Sequence, residues 1–135
     1  STQAKTLFPY TTLFRSGHAV GDQVIKEFGS IILQCTRDTD VAVRYGGEEF
    51  VLTVPCNDIQ EQGGAVVAER IRQRLAETPI DIGDGQTLHV TTSCGVAYCR
   101  ATDNLDSLIQ RADKNLYVAK HKGKNQVCIE PTEGE

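Results

Sequence analysis

No apolar run in this sequence approaches the ~20 residues needed to cross a bilayer as a helix, and the N-terminus carries Lys5 and polar residues where a secretory signal would be apolar. A membrane span and secretion are therefore not expected. The five cysteines (Cys35, Cys56, Cys94, Cys99, Cys128) contain no C-x-x-C pair, are odd in number and mostly sit in apolar context. They read as reduced thiols in a cytosolic protein, and zinc would need tighter ligand pairs with histidines nearby. Positive charge is not in excess: Lys and Arg total 14 against 18 Asp and Glu, for a net charge of −4. The cations are scattered, which argues against a nucleic-acid duplex or direct membrane contact. A small phosphorylated ligand, needing only a few well-placed cations, stays open. No repeat or linker divides the 135 residues. One domain of this size buries roughly two-thirds of its unfolded surface and needs no staple.

What is present is mostly periodic. Val24, Ile25, Phe28, Ile31, Ile32 and Cys35 mark one face of a helix over 21–35. Val41 and Val43, then Phe50, Leu52 and Val54, alternate on either side of Gly46-Gly47 and predict a β-hairpin. A second helix is expected over 65–77, facing inward through Val67, Ala68, Ile71 and Leu75. The stretch 79–86 reads as a loop, and 88–98 as one long central strand in which Gly95 marks a bulge or a close approach. Asp103 or Asn104 caps a third helix, which Gly123 ends, and 127–129 forms a last strand. The order predicts an α+β sandwich with helices on a mostly antiparallel sheet.

The segment RYGGEEF, Arg44 to Phe50, carries the most chemistry. Two glycines without Cβ atoms let a backbone approach a bulky anion. Neighbouring strand residues face opposite ways, so Glu48 and Glu49 cannot share one task. One can hold a divalent cation, and Mg²⁺ characteristically takes one or two carboxylates and completes its shell with phosphates and water. Taken alone, the motif reads equally well as a solvated turn with surface glutamates.

RYGGEEF resembles the signature of the GGDEF family of diguanylate cyclases in its GGEEF spelling. GHAVGD at 17–22, TTSCGVA at 91–97 and RADKNLYVAKHKGKN at 111–125 resemble further family motifs in the same order, so the resemblance covers roughly residues 17–130. It implies the nucleotidyl-cyclase-like sandwich and a bacterial second-messenger role: two GTP condensed to cyclic di-GMP and two pyrophosphates across a homodimer, in the cytoplasm or the cytoplasmic part of a membrane-anchored sensor. Glu48 would be the Mg²⁺ ligand (Mn²⁺ suits the same oxygens) and the base, and Glu49 a supporting carboxylate. Gly46 and Gly47 would make room for the nucleotide, Asp22 would accept from guanine, and Lys120 and Lys124 would meet the terminal phosphates. A blander reading makes the lysines helix-end charges and Asp22 an N-cap. Arg37 and Asp40 have the spacing of the family's inhibitory product site, RxxD, which Arg70 would complete. Outside that frame they are an ordinary surface pair. An upstream sensor domain usually controls such a domain.

Residues 1–16 depart from the family and read as a foreign segment, the run TLFPYTTLFRS resembling translated sequencing adapter; 17–130 is then a partial GGDEF domain and 131–135 a tail. Counting back from Gly17 without a gap puts Lys5 at the family's metal-binding Asp, Tyr10 at a phosphate-binding Lys and Leu13 at a guanine-binding Asn. The first strand of the fold is expected to be missing. Impaired turnover follows from these departures. An inactive domain that acts as a cyclic di-GMP receptor is the alternative reading, and an unfolded fragment a third.

Overall fold

Alternation along the strand after the glycine pair decides how the sheet is covered. Phe50, Leu52 and Val54 are buried in one core, whereas Val51 between them is buried in another. The computed structural model describes residues 2–9, 18–45, 49–56 and 63–129. In order they form β1 (Thr2–Pro9), α1 (His18–Cys35), β2 (Val41–Arg44), β3 (Glu49–Cys56), α2 (Gly63–Glu77), β4 (Ile80–Gly83), β5 (Gln86–Leu88), β6 (Cys94–Tyr98), α3 (Leu105–His121) and β7 (Val127–Ile129). The main sheet has the order β2-β3-β1-β6-β7. β1 runs antiparallel to both neighbours, and β7 lies parallel to β6.

The larger core lies between the sheet and the pair α1 and α2. Val24, Phe28, Ile31 and Ile32 of α1 and Val67, Ala68, Ile71 and Leu75 of α2 meet Phe50, Leu52, Cys94 and Val96 there. Phe28 stacks on Phe50 with ring centroids 5.2 Å apart. On the other face Leu108, Ala112 and Leu116 of α3 meet Val51 and Ala97. The α+β sandwich is thus observed, with two helices on one face of the sheet and one on the other.

Three expectations are corrected. The first strand is not missing: Thr2–Pro9 fills the centre of the sheet, its register running from Thr2 opposite Cys56 to Pro9 opposite Glu49. A central slot is filled by main-chain hydrogen bonds, which do not depend on side-chain type. The loop expected at 79–86 is instead a small hairpin, β4-β5, turned at Asp84 and Gly85, both with positive φ. An Asp-Gly pair with this geometry matches the right-handed twist of the flanking strands. The long strand expected over 88–98 is split, because β5 ends at Leu88 and β6 begins only at Cys94.

Both ends of α3 are defined locally. Asn104 and Ser107 form a reciprocal capping box at its start. At its end Gly123 has φ +117, and the Lys124 N–H donates to Ala119 O at 3.0 Å. That bond satisfies a terminal carbonyl in a Schellman arrangement.

Candidate active site

The β2-β3 hairpin closes where Tyr45 N–H donates to Glu49 O at 2.6 Å. Gly46, Gly47 and Glu48 lie outside the described residues. Glu49 lies within electrostatic reach of α3, which packs on the face opposite α1 and α2. Burial pushes its carboxyl up from the ordinary glutamate range, the charge of Asp113 pushes it further, and Lys120 pulls it back. Asp113 is raised in the same way, by the protein bulk around its carboxyl, again opposed by Lys120. Glu49, Asp113 and Lys120 are therefore one electrostatic cluster beside the hairpin. Lys120 was anticipated there and Asp113 was not. A polar residue on the outer face of a helix gives no sign in sequence of which strand lies beneath it.

The cluster has a direct test. A carboxyl raised on folding is costly to hold ionised above its folded pKa, and that cost is relieved as the pH falls through it. Carboxyl ¹³C titration should put Glu49 above the ordinary range, with Asp113→Asn lowering its midpoint and Lys120→Ala raising it. A midpoint indifferent to Asp113→Asn would show that the two carboxylates do not interact.

Lys124 follows Gly123 in the turn after α3, with φ +63, and Asn125 follows with φ +48. These are uncommon conformations for residues with a Cβ. The turn is anchored from below: Asn125 N–H donates to the buried Ser93 Oγ at 3.2 Å, and Cys94 N–H donates to Gln126 O at 3.0 Å. Lys120 and Lys124 thus flank the end of one helix, and Lys120 lies within electrostatic reach of Glu49. Asp22 is exposed in the second turn of α1, past the first-turn position an N-cap role requires.

Arg37 and Asp40 form a tight turn between α1 and β2. Asp40 N–H donates to Arg37 O at 2.9 Å, and Arg37 N–H donates to Asp40 Oδ2 at 2.8 Å. The other oxygen, Oδ1, is buried with no hydrogen-bond partner among the described residues. The turn lines a groove of about 370 Å³ with Leu33, Thr36 and Val41. Arg70 is exposed on α2 and lines a different groove, of about 420 Å³, with Val66 and Gln73. Burial raises the Cys35 thiol, while Arg74 and Arg70 lower it. Both arginines therefore stand near the end of α1 that leads into Arg37. Among the described residues no three His, Cys, Asp or Glu side chains converge to hold a metal, and no helix is long and apolar enough to cross a membrane.

Comparison with known proteins bears on the family and the fold. The family model "Diguanylate cyclase, GGDEF domain" matches residues 15–126. Diguanylate cyclase A of Treponema denticola is 43% identical over 114 residues, covering 84% of this chain and 30% of that protein. The response regulator PleD of Caulobacter vibrioides is 39% identical over 113 residues, covering 82% of this chain and 24% of that protein. The chain thus spans less than a third of the length of these curated relatives. Among solved structures, the active GGEEF domain of a diguanylate cyclase from Vibrio cholerae superposes with a TM-score of 0.85 at 26% identity, over 98% of this chain and 85% of that one. The GGDEF domain of DgcB from Caulobacter crescentus in complex with c-di-GMP gives 0.83 at 28% identity, over 95% and 77%.

Proposed function

The chain belongs to the GGDEF domain family of diguanylate cyclases, and from that premise we propose that it condenses two GTP into cyclic di-GMP as one half of a homodimer. Each 3′-hydroxyl attacks the α-phosphorus of the nucleotide held by the facing copy. A new P–O bond forms, the bond to pyrophosphate breaks, and the hydroxyl proton passes to Glu48. The observation that supports this reading is the Glu49, Asp113 and Lys120 cluster at the start of β3. Phosphoryl transfer asks mainly for positioning and charge neutralisation. Lys120 and Lys124 serve the terminal phosphates, Gly46 and Gly47 leave room for them, and Asp22 accepts from the guanine edge.

The donors suit Mg²⁺, which asks for only one or two protein carboxylates; Glu48 is that ligand, with Glu49 in support, and Mn²⁺ fits the same oxygens. When bound, the ion neutralises phosphate charge. An upstream sensor domain that controls dimerisation, and a cytoplasmic setting, belong to the same reading. With GTP and Mg²⁺, the chain should form cyclic di-GMP and pyrophosphate in a 1:2 ratio that Glu48→Gln abolishes. Product that survives Glu48→Gln would overturn the assignment.

A second reading is favoured by one observation: β1, TQAKTLFP, contains no acidic residue at the centre of the sheet. A domain short of a metal carboxylate can still bind product through Arg37, Asp40 and Arg70. Asp40 Oδ1, buried with no hydrogen-bond partner among the described residues, is an acceptor suited to guanine N–H groups, and guanidinium groups suit phosphate. Calorimetry should show cyclic di-GMP binding that weakens by about tenfold or more in Arg37→Ala, the loss expected of a charged hydrogen bond. An unchanged affinity would remove the receptor reading.

A further inference from the structure

We propose that Arg72 is a positioning residue for Lys124, reaching from α2 to lock the turn that presents this lysine to the phosphates. The proposal rests on the reading of Lys124 given above. Three successive residues, Gly123, Lys124 and Asn125, hold positive φ values of 117, 63 and 48. Ending α3 requires only the first, and glycine supplies it without steric conflict. Keeping the next two left-handed, with a Cβ on each, needs support from outside the turn.

Arg72 supplies part of that support. Its Nη1 donates to Asn125 Oδ1 at 2.9 Å, across 53 residues of sequence. Its Nε donates to Glu69 Oε2 at 2.9 Å, and its Nη2 is paired with Glu69 Oε1. Glu69, three residues earlier on α2, is held below the ordinary glutamate range chiefly by this hydrogen bonding. The guanidinium plane is therefore fixed by two bonds along one edge before it meets the turn, an arrangement a lysine cannot copy. On its other side Asn125 is held by its N–H to Ser93 Oγ, so the residue next to Lys124 is gripped from α2 and from the segment leading into β6.

The test compares GTP with GMP, which differ in the phosphates that Lys124 serves. In calorimetry with Mg²⁺, Arg72→Ala should reduce the GTP-over-GMP affinity ratio by about tenfold, the lower end for loss of a group that orients a ligand-binding residue. GMP affinity should stay within about twofold. Asn125→Gly should lose the same ratio while folding as stably as the parent chain, because glycine suits this φ; a general loss of structure cannot explain that pairing. Arg72→Lys should not rescue the ratio.

Lys124→Ala separates the two claims. A ratio unmoved by Lys124→Ala overturns the reading of that lysine, whereas a ratio lowered by Lys124→Ala but not by Arg72→Ala overturns the positioning role. Amide hydrogen exchange needs no nucleotide. Arg72→Ala and Asn125→Gly should each speed exchange at the Lys124 and Asn125 amides by about tenfold. Unchanged rates there would show that Arg72 does not hold the turn.

Discussion

Gly95→Val is expected to abolish folding, and Gly95→Ala to lower the thermal midpoint by about 10 °C or more. A Cβ at this position would stand 2.8 Å from Leu116 Cα and nearer still to Ala112 O and Leu116 N. All three are backbone atoms of α3, so no rotamer change can make room. The helix would have to retreat by about 1 Å, and a gap of that size forfeits a quarter to a half of each dispersion contact it opens. Two tethers would be lost with it: Asn115 Nδ2 donates to Val96 O at 2.8 Å, and Arg111 Nη2 to Tyr98 O at 2.9 Å. The combined cost is about 3 kcal/mol or more for alanine, a large share of a domain's stability.

Gly29 supplies the control of opposite sign. It lies inside α1, and its nearest neighbour to an added Cβ is Phe50 Cε1 at 4.0 Å, an ordinary contact. Gly29→Ala should therefore raise stability by about 1 kcal/mol, since glycine is a poor helix former. Circular dichroism melts of both variants check the pair, and a Gly95→Ala chain that melts with the parent would show that α3 does not rest on β6 there.

The fold was legible wherever a side-chain period marked a buried face. Phe50, Leu52 and Val54 against Val51 separated two cores by strand alternation, and the inward faces of α1 and α2 lie where their periods put them. Gly95 was legible as a bulge or a close approach; it is a close approach, to a helix the sequence did not name. Reading failed where partners are remote or where the backbone alone decides. Thr91, Thr92 and Ser93 look like strand by composition, yet they precede β6, and the buried Ser93 hydroxyl holds the turn at Asn125. Arg72 and Asp113 carried no signal in the sequence because their partners, Asn125 and Glu49, lie far off along the chain. β1 has no period at all, since a central slot is filled by main-chain pairing. The same blindness hid the Asp84-Gly85 turn, a short local signal overlooked in a polar stretch.

Register along β1 leads to the second large effect, on turnover. The resemblance implies a metal carboxylate from this strand, and ungapped counting puts it at Lys5. Lys5 stands opposite Thr53, four residues along β3 from Glu49, or roughly 13 Å at ~3.3 Å per residue. Pro9 is the residue opposite Glu49. Neither is an acid, so the chain should turn over GTP about 10²-fold more slowly than a version carrying a carboxylate at the hairpin end of β1, the usual loss for one preorganised charge-stabilising group. Strand geometry and residue counting now disagree over which substitution restores it. A carboxylate some 13 Å from the hairpin cannot share an ion with it, because Mg²⁺–oxygen distances are about 2.1 Å. Pro9→Asp, registered opposite Glu49, should raise cyclic di-GMP formation about 10²-fold, and that gain should vanish on withholding Mg²⁺. Lys5→Asp should change the rate by less than about threefold. Pyrophosphate release and product chromatography measure both variants. Recovery by Lys5→Asp alone would show that the family count, and not the strand pairing, places the metal carboxylate. A parent chain already as fast as Pro9→Asp would show that the reaction needs no acid from β1.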